Sequence, residues 1–150
     1  MSVRIRRARI EEIRPLAAEY EQEASATSET GEPWDAPMPQ AGIFWIAEDE
    51  DRGDALGYAA GTLRPTGCTV GPVFTRRTAR RRGVGRALIE AIQSWAEDTR
   101  VPVVEISVAA DNDEGREFLE ALGYLPRRIM MSLRPEDQGS QSDDERSGDA

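Results

Sequence analysis

The segment from Val73 to Glu97 constrains the fold more than any other part of the chain. Val84, Ala87, Leu88, Ala91, Ile92 and Trp95 recur at the alternating three- and four-residue spacing that lines up one side of an α-helix, so 84–97 is predicted as a helix with a single buried face. Directly ahead of it stands Arg80-Arg81-Arg82-Gly83-Val84-Gly85, and ahead of that Val73-Phe74-Thr75 reads as the end of a strand. A strand that runs through a glycine-bearing loop into a helix start makes an anion site. The N–H groups of the first helical turn have no partner inside the helix, and the helix dipole is positive at that end. Gly83 and Gly85 let the backbone come close to an anion, because no Cβ stands in the way.

The charge around this turn fits the same chemistry. Arg76, Arg77, Arg80, Arg81, Arg82 and Arg86 place six arginines within eleven residues. Guanidinium groups are suited to phosphate oxygens, so the expected ligand is a pyrophosphate or a phosphorylated nucleotide. Neither G-x-x-x-x-G-K-[ST] nor G-x-G-x-x-G occurs, so this is not one of the common nucleotide loops.

The rest of the chain supplies a sheet for the helix to cover. Val3 to Arg9 alternates and reads as a strand, and Ile10 to Glu23 turns helical with Ile13, Leu16, Ala17 and Tyr20 on one stripe. Ala24 to Gln40, rich in Ser, Thr, Glu and Pro around Trp34, is predicted as a long loop. Ile43 to Ala47 and Leu56 to Leu63 read as strands joined by the turn Asp51-Arg52-Gly53-Asp54, and Pro65-Thr66-Gly67 makes a second turn. Cys68 to Thr75 is a strand interrupted by Gly71-Pro72, where a bulge or splay is expected because proline cannot donate a ladder bond. Val103 to Val108 is a further strand. Asp111 or Asn112 caps a short helix carrying Phe118, Leu119 and Leu122, Gly123 stops it, and Ile129 to Leu133 is a last strand.

Composition removes whole classes of function. Histidine is absent and Cys68 is the one cysteine, which excludes a zinc site, a Cys–His nucleophile pair and an internal disulfide, and makes a reducing cytoplasm the expected home. All 19 basic residues are arginine, and the net charge of −9 argues against nucleic acid or an anionic membrane as a partner. No apolar run reaches the roughly 20 residues of a membrane span, and Met1 to Arg6 alternates, so no export signal is read. Residues 135–150 hold six acids against Arg146 alone and are expected to be a disordered acidic tail to a domain at 1–134.

At this point the sequence resembles a known family. Val73 to Leu88 is similar to the acetyl-CoA motif of the GNAT family of N-acetyltransferases, which runs from a strand through [RQ]-x-x-G-x-[GA] into a helix; Arg80, Gly83 and Gly85 match its fixed positions. A second motif follows in order. Ile106-Ser107-Val108 ends a strand, Asn112 follows, and Phe118-Leu119-Glu120-Ala121-Leu122-Gly123-Tyr124 resembles the family's F-Y-E-K-L-G-F. The resemblance covers roughly residues 3–133. It implies a single α/β (α+β) domain with a mixed, mostly antiparallel sheet and a splayed parallel strand pair flanked by helices. It also implies acetyl-CoA as co-substrate, no metal, and direct attack of an amine on the thioester. Backbone groups of Val73, Phe74 and Thr75 would pair with the pantetheine arm. The N–H groups from Arg81 through Arg82, Gly83, Val84 and Gly85 to Arg86 would hold the pyrophosphate beside Arg80. Asn112 would touch the cofactor near its pantetheine portion. Dimers are common in the family, so a homodimer is a further expectation.

The match breaks at the proton donor. In many relatives a tyrosine of the second motif protonates the departing thiolate, and here that position is Leu119. Tyr124 and Ser107 are the remaining acid candidates, with Tyr58 beside them, and Glu105 is the candidate base. Glu29, Asp35 and Trp34 are expected on the acceptor side, within an acidic rim that includes Glu19, Glu21, Glu23 and Glu32 and would draw a cationic amine. A small-molecule and a protein acceptor both stay open. So does a second class of function, a non-catalytic acyl-CoA-binding domain of the same fold.

Overall fold

The computed structural model describes residues 2–27, 42–131 and 133. They fall into two compact units, Met1–Asp113 and Glu114–Ala150. The first contains β1 (Val3–Ala8), α1 (Ile10–Thr27), β2 (Ile43–Asp49), β3 (Ala55–Arg64), β4 (Gly67–Thr75), α2 (Val84–Asp98) and β5 (Val104–Ile106). The strands lie across the sheet in chain order, antiparallel throughout except for β4 with β5. The short turns before β3 and β4 can only fold the chain back, whereas the way from β4 to β5 passes through α2 and is long enough for the crossover that a parallel neighbour requires. This is the expected mixed, mostly antiparallel sheet.

Both faces of the sheet are covered, which is why Ile43-Phe44-Trp45-Ile46-Ala47 is apolar without alternation. Trp45, Ala47, Ala59, Cys68 and Val70 pack with Val84, Leu88 and Ile92 of α2. Phe44, Ile46, Tyr58, Ala60 and Phe74 pack on the other side with Ile13, Leu16 and Ala17 of α1. Leu88 and Ile92 are fully buried, each contributing roughly 1.5–3 kcal/mol of transfer free energy. The buried face of α2 is Val84, Leu88, Ile89, Ile92 and Ala96. It is rotated slightly from the predicted stripe, so that Trp95 is half-buried and meets Trp45 edge-on at 5.3 Å. Beneath β1, Arg6 holds both Glu48 and Glu12. The Arg6 guanidinium and the Arg9 backbone N–H bring the Glu12 carboxyl down to about 2.

The largest differences in extent from the predicted elements are at α1 and β5. α1 runs four residues beyond Glu23, because Ala24-Ser25-Ala26 is compatible with a helix despite the Ser/Thr-rich stretch that follows. The rest of the predicted loop, 28–40, lies outside the described residues, as does the tail at 135–150. β5 is shorter than Val103 to Val108 because its partner leaves it. The ladder pairs Cys68 with Val104, Thr69 with Glu105 and Val70 with Ile106, and then β4 bulges.

α3 (Asp113–Ala121) begins at the boundary and from Glu114 on belongs to the second unit. It stops as Gly123 predicts. Gly123 takes φ 95°, its N–H reaches the Glu120 carbonyl and the Tyr124 N–H reaches the Leu119 carbonyl, each at 3.0 Å. This pair of bonds needs a left-handed residue at 123, which glycine supplies without strain. The last predicted strand is corrected: the described residues from Tyr124 onward carry no strand. A strand exists only through ladder bonds to a neighbour, and apolar residues alone do not supply one; Ile129, Met130, Met131 and Leu133 are all exposed.

Candidate active site

The site begins at the irregularity in β4. Ala59 faces Val73, but Gly61, two residues on, faces Val70, three residues back, so β4 carries one extra residue at Gly71-Pro72. This is the bulge that proline in a strand predicts. Beyond it Val73, Phe74 and Thr75 stay paired with Ala59, Tyr58 and Gly57, while on the other edge β5 has already ended. The last bond across is from the Ser107 N–H to the Val70 carbonyl, at 3.1 Å. Among the described residues, the edge of β4 at 73–75 therefore faces an open notch instead of a strand.

The notch leads into the arginine loop. After Thr75 the chain makes a single 3-10 turn, Arg77–Ala79, anchored by buried Ala79. α2 then starts at Gly83, whose φ is 78° and which makes no side-chain cap, so the first N–H groups of α2 stay open to an anion. A Cβ at Gly83 would meet nothing within 4 Å, which leaves space for a ligand against the backbone. Arg81 also takes a positive φ, 64°, without being glycine. Arg77, Arg81, Arg82 and Arg86 are exposed, and Arg86 pairs with Glu90 at 3.0 Å.

A non-glycine residue in the left-handed region costs roughly 1–2 kcal/mol, and glycine loses about 0.5–1 kcal/mol more chain entropy on folding. Arg81→Gly is therefore expected to raise stability by about 0.5–1 kcal/mol, read as a higher denaturant midpoint at unchanged slope. A lower midpoint would show that the arginine side chain compensates its own strain.

The Arg80 guanidinium is held by the protein itself. Its Nε donates to the Thr75 carbonyl at 3.1 Å, its Nη2 pairs with Glu23 of α1, and its guanidinium sits 6.0 Å from the Phe74 ring centroid. Arg76 pairs with Glu19 at 3.0 Å and also donates to the Ala55 carbonyl at 3.2 Å. Phe74 is at the centre of an aromatic group, with Tyr20 edge-on at 5.7 Å and Tyr58 tilted at 6.1 Å. Glu19 and Glu23, read from sequence as part of an acidic rim, are thus neutralised by arginines. The signal that could have found this is spacing: the two acids are four apart on one helix face, and so are the two arginines.

Of the acid–base candidates, Glu105 and Ser107 come together. Val104 and Ile106 pack into the α2-side core, so alternation puts Glu105 and Ser107 on the face that α1 covers. Glu105 is half-buried opposite Thr69, and Ser107 is exposed, beside Gly71. Tyr58 is buried in the sheet. Asn112 is exposed, at the foot of α3. Tyr124 is half-buried in the second unit, and Leu119 is buried. Trp34, Glu29 and Asp35 lie outside the described residues. Cys68 is buried in the core, where desolvation pushes its thiol up and away from nucleophile chemistry. Among the described residues no cluster of His, Cys, Asp and Glu could hold a metal ion, and no helix is long and apolar enough to cross a membrane.

The profile of the acetyltransferase (GNAT) family matches residues 10–124, a span that includes this strand end and the start of α2. The chain belongs to the GNAT family. Solved structures share the fold. The ribosomal-protein-alanine N-acetyltransferase from Brucella melitensis biovar Abortus 2308 superposes with a TM-score of 0.69 at 16% identity, over 89% of this chain and 99% of that one. The ribosomal-protein-S18-alanine N-acetyltransferase from Escherichia coli gives 0.69 at 18%, over 89% and 84%. AAC(6')-Iy, in complex with the bisubstrate analogue CoA-S-monomethyl-acetylneamine, gives 0.63 at 17%, over 89% and 99%. A search of curated protein sequences finds no match. The sheet is mixed, and its parallel strands, β4 and β5, are the pair that parts after Val70.

Proposed function

We propose that this GNAT protein is an N-acetyltransferase that moves the acetyl group of acetyl-CoA to a primary amine, on a small molecule or a protein N-terminus. The observation that carries the reading is the continuity of the notch at 73–75 with the uncapped start of α2. An extended amide-bearing arm ending in a pyrophosphate fits that path. The free edge at Val73, Phe74 and Thr75 supplies main-chain partners for the arm, and the N–H groups from Arg81 to Arg86 meet the pyrophosphate. Arg81, Arg82 and Arg86 add positive charge around it, and Asn112 contacts the arm.

In this reading a backbone N–H near Thr75 polarises the thioester carbonyl and stabilises the oxyanion that forms on attack. The amine nitrogen forms the new C–N bond, the C–S bond breaks, and the sulfur leaves with the electron pair. Glu105 takes the proton that the ammonium must lose before attack. Ser107 protonates the thiolate and regains its proton from the attacking nitrogen, which sheds its second one as the amide forms; a CoA thiol is also acidic enough to leave without help. No step is routed through Tyr124. Trp34, Glu29 and Asp35 serve the acceptor side. A cationic acceptor agrees with the net charge of −9.

The second reading, an acyl-CoA-binding domain without turnover, is favoured by Leu119, which puts a side chain with no proton where many relatives carry tyrosine. Calorimetry with acetyl-CoA tests the cofactor site common to both, with micromolar binding expected, about −7 to −8 kcal/mol. Thiol release over a panel of amines then separates them. Binding of neither acetyl-CoA nor ADP at low salt would overturn both readings.

A further inference from the structure

Two ion pairs join α1 to the loop ahead of α2, and they are in register. Glu19 meets Arg76 and Glu23 meets Arg80, each pair 57 residues apart in the chain. Each arginine has further protein contacts. Arg76 grips Glu19 at two points, Nε at 3.1 Å and Nη2 at 3.0 Å, and donates to the Ala55 carbonyl as well; its backbone N–H reaches the Leu56 carbonyl at 2.8 Å. Arg80 holds the carbonyl of Thr75 and covers the Phe74 ring. The two arginines thus bracket the end of β4, one on each side of the 3-10 turn at Arg77–Ala79. Arg77 and Arg81, by contrast, form no ion pair with any described residue.

We infer that Glu19 and Glu23 are positioning residues for the acetyl-CoA site, acting through Arg76 and Arg80 to fix the end of β4 and the entry to the loop; this rests on the cofactor reading above. A strand end with a neighbour on one edge only lacks half of its lateral support. Residues 73–75 are in that condition, and they are the residues whose main chain must be held straight to accept an extended ligand. The charge-assisted rungs from α1 supply the missing support. Both pairs are partly exposed, with side-chain exposures of 40% and 41% for Arg76–Glu19 and 41% and 25% for Arg80–Glu23. Pairs of that kind add little to global stability, so their effect falls on ligand affinity and not on melting. The alternative is that Arg80 is itself a phosphate ligand, with Glu23 competing for it, and this predicts the opposite sign.

The experiment titrates acetyl-CoA by calorimetry into the unaltered protein, Glu19→Gln/Glu23→Gln, Arg80→Glu and the swap Glu23→Arg/Arg80→Glu, with a thermal melt of each free protein. Glu19→Gln/Glu23→Gln is expected to bind about tenfold more weakly with a melting temperature close to that of the unaltered protein. Arg80→Glu is also expected to bind weakly, and the swap to recover most of the affinity by restoring the rung with reversed polarity. Equal or tighter binding by Glu19→Gln/Glu23→Gln, or a swap no better than Arg80→Glu, overturns the inference and leaves the cofactor reading standing. If the unaltered protein binds neither acetyl-CoA nor ADP, the cofactor reading falls and takes this one with it.

Discussion

Gly83→Glu is expected to abolish acetyl-CoA binding while leaving the protein folded. The side chain has room, since a Cβ at this position meets nothing within 4 Å. Its cost is conformational: φ is 78°, and a non-glycine residue there is worse by roughly 1–2 kcal/mol. A typical domain, stable by about 5–15 kcal/mol, survives that loss. The effect on binding is of another size. The carboxylate stands at the positive end of α2, where the proposed pyrophosphate needs the open N–H groups. It replaces attraction by repulsion and supplies an internal anion for the same donors. At least a hundredfold weaker binding, about 2.7 kcal/mol, is the expected calorimetric result. Gly83→Asn separates charge from shape, because asparagine tolerates the left-handed region and is neutral. It should bind within about fivefold of the unaltered protein, under about 1 kcal/mol. If Asn is as damaging as Glu, the close approach of the backbone matters and the charge does not. If Glu binds normally, the phosphates do not lie at the start of α2.

Most of the first unit was legible because its signals are local and repeated. Helix periodicity at 84–97, the two hairpin turns and the continuous apolar run at Ile43 to Ala47 each report a period or a turn that a few neighbouring residues determine. The bulge in β4 was legible for a sharper reason, since Gly71-Pro72 cannot continue a ladder. The last strand at Ile129 to Leu133 was misread because apolar residues in a short run do not state whether a partner edge is there to receive them. α1 ran past its predicted end because Ala24-Ser25-Ala26 is neutral between helix and loop, and nothing local stops it.

The candidate site divides along the same line. Its main-chain parts, the strand end at 73–75 and the glycine-opened start of α2, follow from sequence because backbone geometry depends on glycine, proline and register. Its side-chain partnerships do not. Arg80 matched the motif, yet its guanidinium rests on Thr75 and Glu23. That outcome depends on α1 packing against the same sheet face 57 residues earlier in the chain. A long-range pairing of this kind shows in the sequence only as two matching four-residue spacings. The left-handed Arg81 left no sequence signal at all.

Gly57→Ala is expected to destabilise the sheet at the strand end that borders the notch. Gly57 lies opposite Thr75 in the β3–β4 ladder. An added Cβ would land on the Phe74 carbonyl oxygen, with the Thr75 Cα at 3.2 Å and the Phe74 carbonyl carbon at 3.3 Å. All of these are backbone atoms, so no rotamer change can make room. Either β3 and β4 separate at this end or the Phe74 peptide turns, and both move the strand end that the cofactor is proposed to pair with. Overpacking of this type costs about 1–3 kcal/mol, against an entropic gain of about 0.4–1 kcal/mol for replacing glycine. With a shift of about 2–4 °C per kcal/mol for a chain of this size, the melting temperature should fall by roughly 2–8 °C. Gly71→Ala is the matched control. It carries the same entropic gain, and its Cβ would meet the Ser107 side chain at 3.6 Å, an ordinary contact. Its melting temperature should be unchanged or up to about 4 °C higher than that of the unaltered protein. The damage should also reach function, with acetyl-CoA affinity in Gly57→Ala falling about tenfold at a temperature where the variant is fully folded. A lower melting temperature with undiminished affinity would mean that the end of β4 does not hold the cofactor. An unchanged melting temperature would mean that β3 and β4 run further apart at Gly57 than the ladder places them.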